Sequence, residues 1–254
     1  FIEHMLFKGT EKRTADQISG AVDAVGGQLN AFTSKENTCY YIKTLTEDFP
    51  LAVDVLSDMF LNSRFDNEEI AKEREVIIEE IKMYEDNPGW RVFFNLLRAM
   101  YKNHPVRIDI AGTTESIAKI NADLLYKCYN TFYNPSNMFL CIAGNVETEK
   151  ILKMVEKGIK ESTPLEIERV KPNEPAEVLK PVVEQALPVA QPIFSFGYKL
   201  PADKMPTVKE RICTEILLEA LAGDCSPLYK RLMEDGLIND EFSFEHFCGD
   251  GCNA

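Results

Sequence analysis

Six of the thirteen prolines fall between residues 164 and 192, at Pro164, Pro172, Pro175, Pro181, Pro188 and Pro192. A proline ring removes a backbone donor and clashes with the preceding turn, so no helix crosses this stretch. It reads as an extended linker. It divides the chain into a first domain over 1–163, the linker over 164–192 and the start of a second domain over 193–254.

Each side of the linker alternates helical and strand patterns. Residues 13–27 carry a capping box, Thr14 with Gln17, and end on Gly26-Gly27, as a helix does. QLNAFTS (28–34) and TCYYIKTL (38–45) read as two strands joined by a polar turn. Two helices follow, over 47–63 and from about Asp66 to Asp86, the second stopped by Asn87-Pro88-Gly89. A helix over 121–133, a strand MFLCIAG over 138–144 and a helix over 150–160 complete the first domain. Past the linker, 193–200 and 241–247 read as strands, and 208–223 and 226–236 as helices. The expected fold class is α+β: two related α/β sandwich-type domains with helices packed on antiparallel or mixed sheets. The first lacks its initial strand and the second is truncated.

Composition narrows the function. A net charge of −13 disfavours nucleic acid, whose phosphates want a basic face. No apolar run reaches the 18 residues a membrane helix needs. The seven cysteines are odd in number and follow no framework spacing. Several sit in apolar runs, Cys141 among them, and read as buried free thiols in a reducing cytoplasm.

The helix from Asp66 to Asp86 is the informative one. With Glu73 set at zero and residues spaced by about 100°, Tyr84 falls at about +20°, Ile77 at about +40°, Ile70 at about +60° and Ile81 at about +80°. Val76 falls at about −60° and Met83 at about −80°, giving one apolar stripe with Glu73 at its centre and Glu80 beside it at about −20°. A carboxylate facing a core costs several kcal/mol unless something pairs with it. Three arrangements relieve that cost: a protonated carboxyl, a groove where both glutamates reach water or an arginine, or a bound cation.

The opening residues bear on the choice. A helix carrying His-x-x-Glu-His places two imidazoles on one face, with a glutamate beside the second to take a proton from water. Phe1-Ile2-Glu3-His4 supplies all of it except the leading histidine, which would stand just before Phe1.

IEHMLFKGT resembles the active-site helix of the pitrilysin/insulinase family of zinc metallopeptidases. That family places its third ligand, a glutamate, about 76 residues after the second histidine, and Glu80 follows His4 by 80 − 4, or 76, positions. A further glutamate stands seven residues earlier in the family, as Glu73 does here. NAFTSKENTCYY (30–41) resembles the family's substrate-pairing edge strand, and residues 83–117 resemble a bacterial, processing-peptidase-like branch.

The resemblance implies roles residue by residue. Glu3 matches the base that activates the attacking water, His4 and Glu80 match zinc ligands, and Glu73 matches the outer glutamate that orients the site. Asn30, Ala31, Phe32 and Thr33 match the strand that captures an extended peptide by β-augmentation. The implied activity is zinc-dependent endopeptidase cleavage, with the alternative of a non-catalytic, peptide-binding subunit. The implied assembly is a homodimer or a pair with a related subunit, without nucleic acid or membrane. With His4 and Glu80 alone, the 254-residue chain is expected to hold zinc weakly and to be inactive.

Other motifs read as structural. HFCGDGC (246–252) lacks the paired C-x-x-C units of zinc sites, and His104 reads as a surface-loop residue. Trp90 reads as a packing anchor. Arg231 lacks the following tyrosine that active members of the family often supply, and reads as a helix-end residue.

Overall fold

Local rules set most of the helices in the computed structural model, which describes residues 1–158, 162–202 and 204–254. Thr14 accepts from Gln17 N–H while the Gln17 side chain accepts from Thr14 N–H, starting the helix Ala15–Asp23 (α2). The turn that follows it closes at Gly26, whose φ of +67° an L-residue adopts only under strain. Before it stands the short helix Ile2–Met5 (α1), anchored by fully buried Met5 and Leu6. Two strands, Gln28–Thr33 (β1) and Thr38–Lys43 (β2), pair antiparallel in the register Asn30↔Tyr41, Ala31↔Tyr40 and Thr33↔Thr38. Helices Phe49–Leu61 (α3) and Asn67–Glu85 (α4) follow, the latter capped by Asp66 accepting from Glu68 N–H.

Asn87-Pro88-Gly89 ends α4 and also opens a helix not expected from the sequence, Pro88–Met100 (α5). Asn87 accepts from Trp90 N–H, and Pro88 occupies the first turn, where its missing donor costs nothing. Thr114–Ile117 (α6), Ala122–Phe132 (α7), Thr148–Gly158 (α8), Val208–Ala222 (α9) and Pro227–Glu234 (α10) are the remaining α-helices among the described residues. Of the expected helix over 150–160, residues 159 and 160 lie outside the described residues. Cys248–Gly249 (β3) and Cys252–Asn253 (β4) form a second two-stranded antiparallel sheet, turning at Gly251 with φ +80°. The fold is thus α+β, rich in helix with small antiparallel sheets.

Three expected strands do not form: 138–144, 193–200 and 241–247 are irregular. A strand needs a hydrogen-bonding neighbour along its length as well as the right residues. No described strand lies beside 138–144, and the other two runs meet the β3–β4 sheet at one residue each, Leu200 N–H bonding the Asn253 carbonyl and Phe247 pairing with Ala254. Phe139, Phe194 and Phe196 are exposed as a result, and so is Cys141; the buried cysteine is Cys252. The proline-rich stretch over 164–192 contains neither helix nor strand.

The chain divides into two compact units, residues 1–86 with 109–169, and 87–108 with 170–254. In the first, α1, α2, α3, β2, the start of α4 and α7 meet around Met5, Leu6, Ile18, Val22, Tyr40, Met59, Ile70 and Leu125. A smaller cluster joins Ile77 and Ile81 of α4 to Ile117. Asp58 is buried at the back of α3, accepting from Thr10 Oγ1 at 2.7 Å, Arg13 at 2.8 Å and Asn62 Nδ2 at 2.8 Å. These bonds fasten the segment that follows α1.

In the second unit, Phe94, Leu97, Met100, Tyr101, Val106 and Cys252 form the core, with Trp90 packed against it as expected. Glu174 accepts from the backbone N–H groups of Lys102, Asn103 and His104 and from Lys199 Nζ at 2.7 Å. His104, expected at the surface, is buried: its Nδ1 accepts from Val106 N–H, and its Nε2 donates to the Asp250 carbonyl at 2.9 Å. That acceptor lies far along the chain, beyond the reach of local pattern.

Candidate metal centre

Helix α4 brings two of the candidate residues to α1. Its buried arc is narrower than the sequence pattern suggested. Ile70, Glu73, Ile77 and Ile81 are buried, whereas Val76 and Met83 are 53% and 60% exposed. The core is met on one side of Glu73 only, so Glu73 lies at the edge of the buried arc and Glu80, further round, is half-exposed.

Glu73 is 5% exposed and fully partnered. His4 Nδ1 stands 2.9 Å from its Oε1, and Lys8 Nζ 2.6 Å from its Oε2. Burial alone would raise this carboxyl's pKa, but the hydrogen bonds from Lys8 and His4 outweigh it and hold the group below the usual carboxylate range. A carboxylate on Nδ1 fixes the proton there and leaves the Nε2 lone pair outward. His4 Nε2 then faces Glu80 Oε2 at 3.6 Å.

Two lone-pair donors facing each other suit a shared cation. Ligands of one tetrahedral zinc with bonds of about 2.1 Å stand about 3.4 Å apart, close to the observed separation. His4 and Glu80 therefore fit zinc as a partial ligand set. Among the described residues no third His, Cys, Asp or Glu joins them to make a group of three.

Glu3 sits beside this pair on α1, with its Oε2 accepting from Thr33 Oγ1 at the end of β1. Thr33 Oγ1 also lies 3.3 Å from Thr38 Oγ1 on β2. Asn30 and Phe32 point outward along β1, Ala31 leans on the core, and the Asn30 side chain accepts from Ala31 N–H at 2.8 Å. Behind them the hydroxyls of Tyr40 and Tyr133 meet at 3.0 Å. Both phenols are pushed up in pKa, chiefly by burial, with the Glu3 charge adding to the effect.

Two contributors escaped the sequence reading. Lys8 stands four residues after His4, and Tyr84, whose hydroxyl hydrogen-bonds Glu80, four after that glutamate. Burial first, then the Glu80 charge, raises the Tyr84 pKa. For Tyr84 the helical i, i+4 spacing was the available signal, whereas Lys8 lies beyond the end of α1 and reaches a residue 65 positions away (73 − 8).

Residues 1–114 match the family model described as Insulinase (Peptidase family M16), and residues 119–253 match the one described as Peptidase M16 inactive domain. The chain is 39% identical to a Bacillus subtilis protein named uncharacterized zinc protease YmfH, over 96% of this chain and 58% of that one. It is 47% identical to uncharacterized zinc protease YmxG of the same organism, over 62% of this chain and 38% of that one. The crystal structure of an M16-like peptidase from Alicyclobacillus acidocaldarius superposes with a TM-score of 0.90 at 32% identity, covering 99% of this chain and 60% of that one. The chain thus spans less than two thirds of the length of these relatives. With both family models matched in sequence order, the chain belongs to the insulinase family of peptidases, M16.

Proposed function

We propose that this chain carries the metal-binding part of a zinc metalloendopeptidase that hydrolyses extended polypeptides. The observation that carries the reading is the His4 ring, held by Glu73 with its free nitrogen toward Glu80 and with Glu3 beside it. His4 and Glu80 would hold zinc together with a histidine immediately before Phe1. When bound, zinc would polarise the scissile carbonyl and lower the pKa of the attacking water.

The remaining chemistry belongs to the chain. An extended substrate adds to β1 as a further strand along Asn30–Thr33, with backbone hydrogen bonds supplying affinity independent of side chains. Thr33 engages Oε2 of Glu3, leaving Oε1 to take the proton from the attacking water and pass it to the leaving amine. Such placed acid–base assistance is worth about 10²–10⁴ in rate. Glu73 keeps the proton on His4 Nδ1 throughout.

The test uses the full natural protein. One zinc per chain, lost in Glu80→Gln, together with peptide cleavage that disappears in Glu3→Gln while zinc remains, is the expected result. A full-length protein that binds peptides but neither zinc nor cleaves would instead be a non-catalytic subunit.

A further inference from the structure

Glu73 is gripped from two points of one segment. The backbone after α1 tightens, with Leu6 N–H bonded to the Ile2 carbonyl and Lys8 N–H to the Met5 carbonyl, so Lys8 stays on the His4 side. Each carboxylate oxygen then has its own donor: Oε1 meets His4 Nδ1 and Oε2 meets Lys8 Nζ. The terminal torsion of a glutamate is soft and broad. One partner would leave the carboxylate free to rotate away from the imidazole, whereas two partners on opposite oxygens fix its plane. Ile70 and Ile77, buried one turn to either side, hold the backbone beneath it.

We infer that Lys8 is a positioning residue for the metal centre, acting on zinc affinity through Glu73 and His4 without being a ligand. The inference rests on the proposed zinc reading and adds a residue to it. A bland ion pair would also neutralise buried Glu73, but it would carry no consequence for His4.

The experiment compares the full natural protein with Lys8→Met, Lys8→Arg, Glu73→Gln and the Lys8→Met/Glu73→Gln double variant. Zinc affinity is measured by competition with a chromogenic chelator, and the metal-free proteins are melted alongside. Lys8→Met is expected to weaken zinc binding about 10–100-fold, the range for groups that support a ligand from behind. Lys8→Arg should stay within about threefold of the parent, because it returns a cation to Oε2. On the Glu73→Gln background, Lys8→Met should cost nothing further. Should Lys8→Met fail to fold, Lys8→Gln, which keeps a donor without the charge, is read the same way.

An unchanged zinc affinity in Lys8→Met, even with a lowered melting temperature, overturns the inference. So does an equal loss on the Glu73→Gln background. If the parent protein takes up no zinc, the functional reading fails separately, and histidine-selective ¹⁵N spectra of the metal-free protein decide the role of Lys8. The proton confined to His4 Nδ1 in the parent and shared between the ring nitrogens in Lys8→Met supports it; identical spectra overturn it.

Discussion

Thr33 places its hydroxyl on the Glu3 carboxylate, so a single hydrogen bond joins the end of β1 to the helix that carries the candidate base. On the proposed reading, docking a peptide on β1 and aiming Glu3 are thereby linked. Thr33→Val keeps the shape and removes the donor. A hydrogen bond to a charged group is worth about 1.5–3 kcal/mol. Steady-state peptide cleavage by the full-length variant should show kcat reduced about tenfold or more, with KM changed less than about threefold. A loss confined to KM would place Thr33 in substrate binding alone.

The narrow buried arc of α4 separates neighbours in sequence. Ile77 is 3% exposed and Val76 53%. Ile77→Ala should lower unfolding free energy by about 2–4 kcal/mol, whereas Val76→Ala should stay within about 0.5 kcal/mol of the parent. Urea denaturation of both variants checks this. Equal losses would show that the helix buries a wider face.

Asp58 accepts three hydrogen bonds at the base of the segment after α1. Burial would raise its pKa, but the Thr10, Arg13 and Asn62 bonds hold it below the usual range. Asp58→Ala removes the acceptor shared by Thr10, Arg13 and Asn62, while Arg13 keeps Asp54, and should cost about 1–3 kcal/mol in a chemical denaturation experiment. Asp58→Asn, which keeps the shape and some of the bonds, should cost less.

Glu174 supplies a pH dependence within the second unit. Burial pushes its carboxyl up, yet Lys199 and three backbone N–H groups pull it down to about 2. Its folded pKa lies below the unfolded value near 4.5, so the stability it adds is fully present above that value and is lost as pH falls toward about 2. Glu174→Gln should therefore lower the denaturation midpoint at neutral pH, and the gap from the parent should close between about pH 4.5 and pH 2. A gap constant with pH would mean that the amide fails sterically rather than by charge.

The sequence made the helices legible wherever their causes are local. Asp66 and Asp86 bound α4, and Thr14 with Gln17 opens α2, because caps act over three or four residues. The helical period likewise set Glu73 among Ile70, Ile77 and Ile81. It placed Glu73 at the centre rather than the edge of the stripe because apolar Val76 and Met83 look like core residues until one knows what they face. Pairing across distance was not legible. Run 138–144 carries strand residues without a described strand alongside, 193–200 meets β4 at Leu200 alone, and His104 is buried because the Asp250 carbonyl comes to meet it. The resemblance brought His4, Glu73 and Glu80 together by spacing, but the cation on Glu73 follows from the way the chain turns after Met5.

The second unit is split along the chain: α5 belongs with residues 170–254, although residues 109–169 intervene. Phe94, Leu97 and Met100 share their core with Cys252, which a ribosome adds 158 residues after Phe94 (252 − 94). At about 5–20 residues per second the apolar face of α5 waits on the order of ten to thirty seconds for that partner. During synthesis this helix is a ready client for a holding chaperone. An expression clone ending before the proline-rich stretch would make that wait permanent.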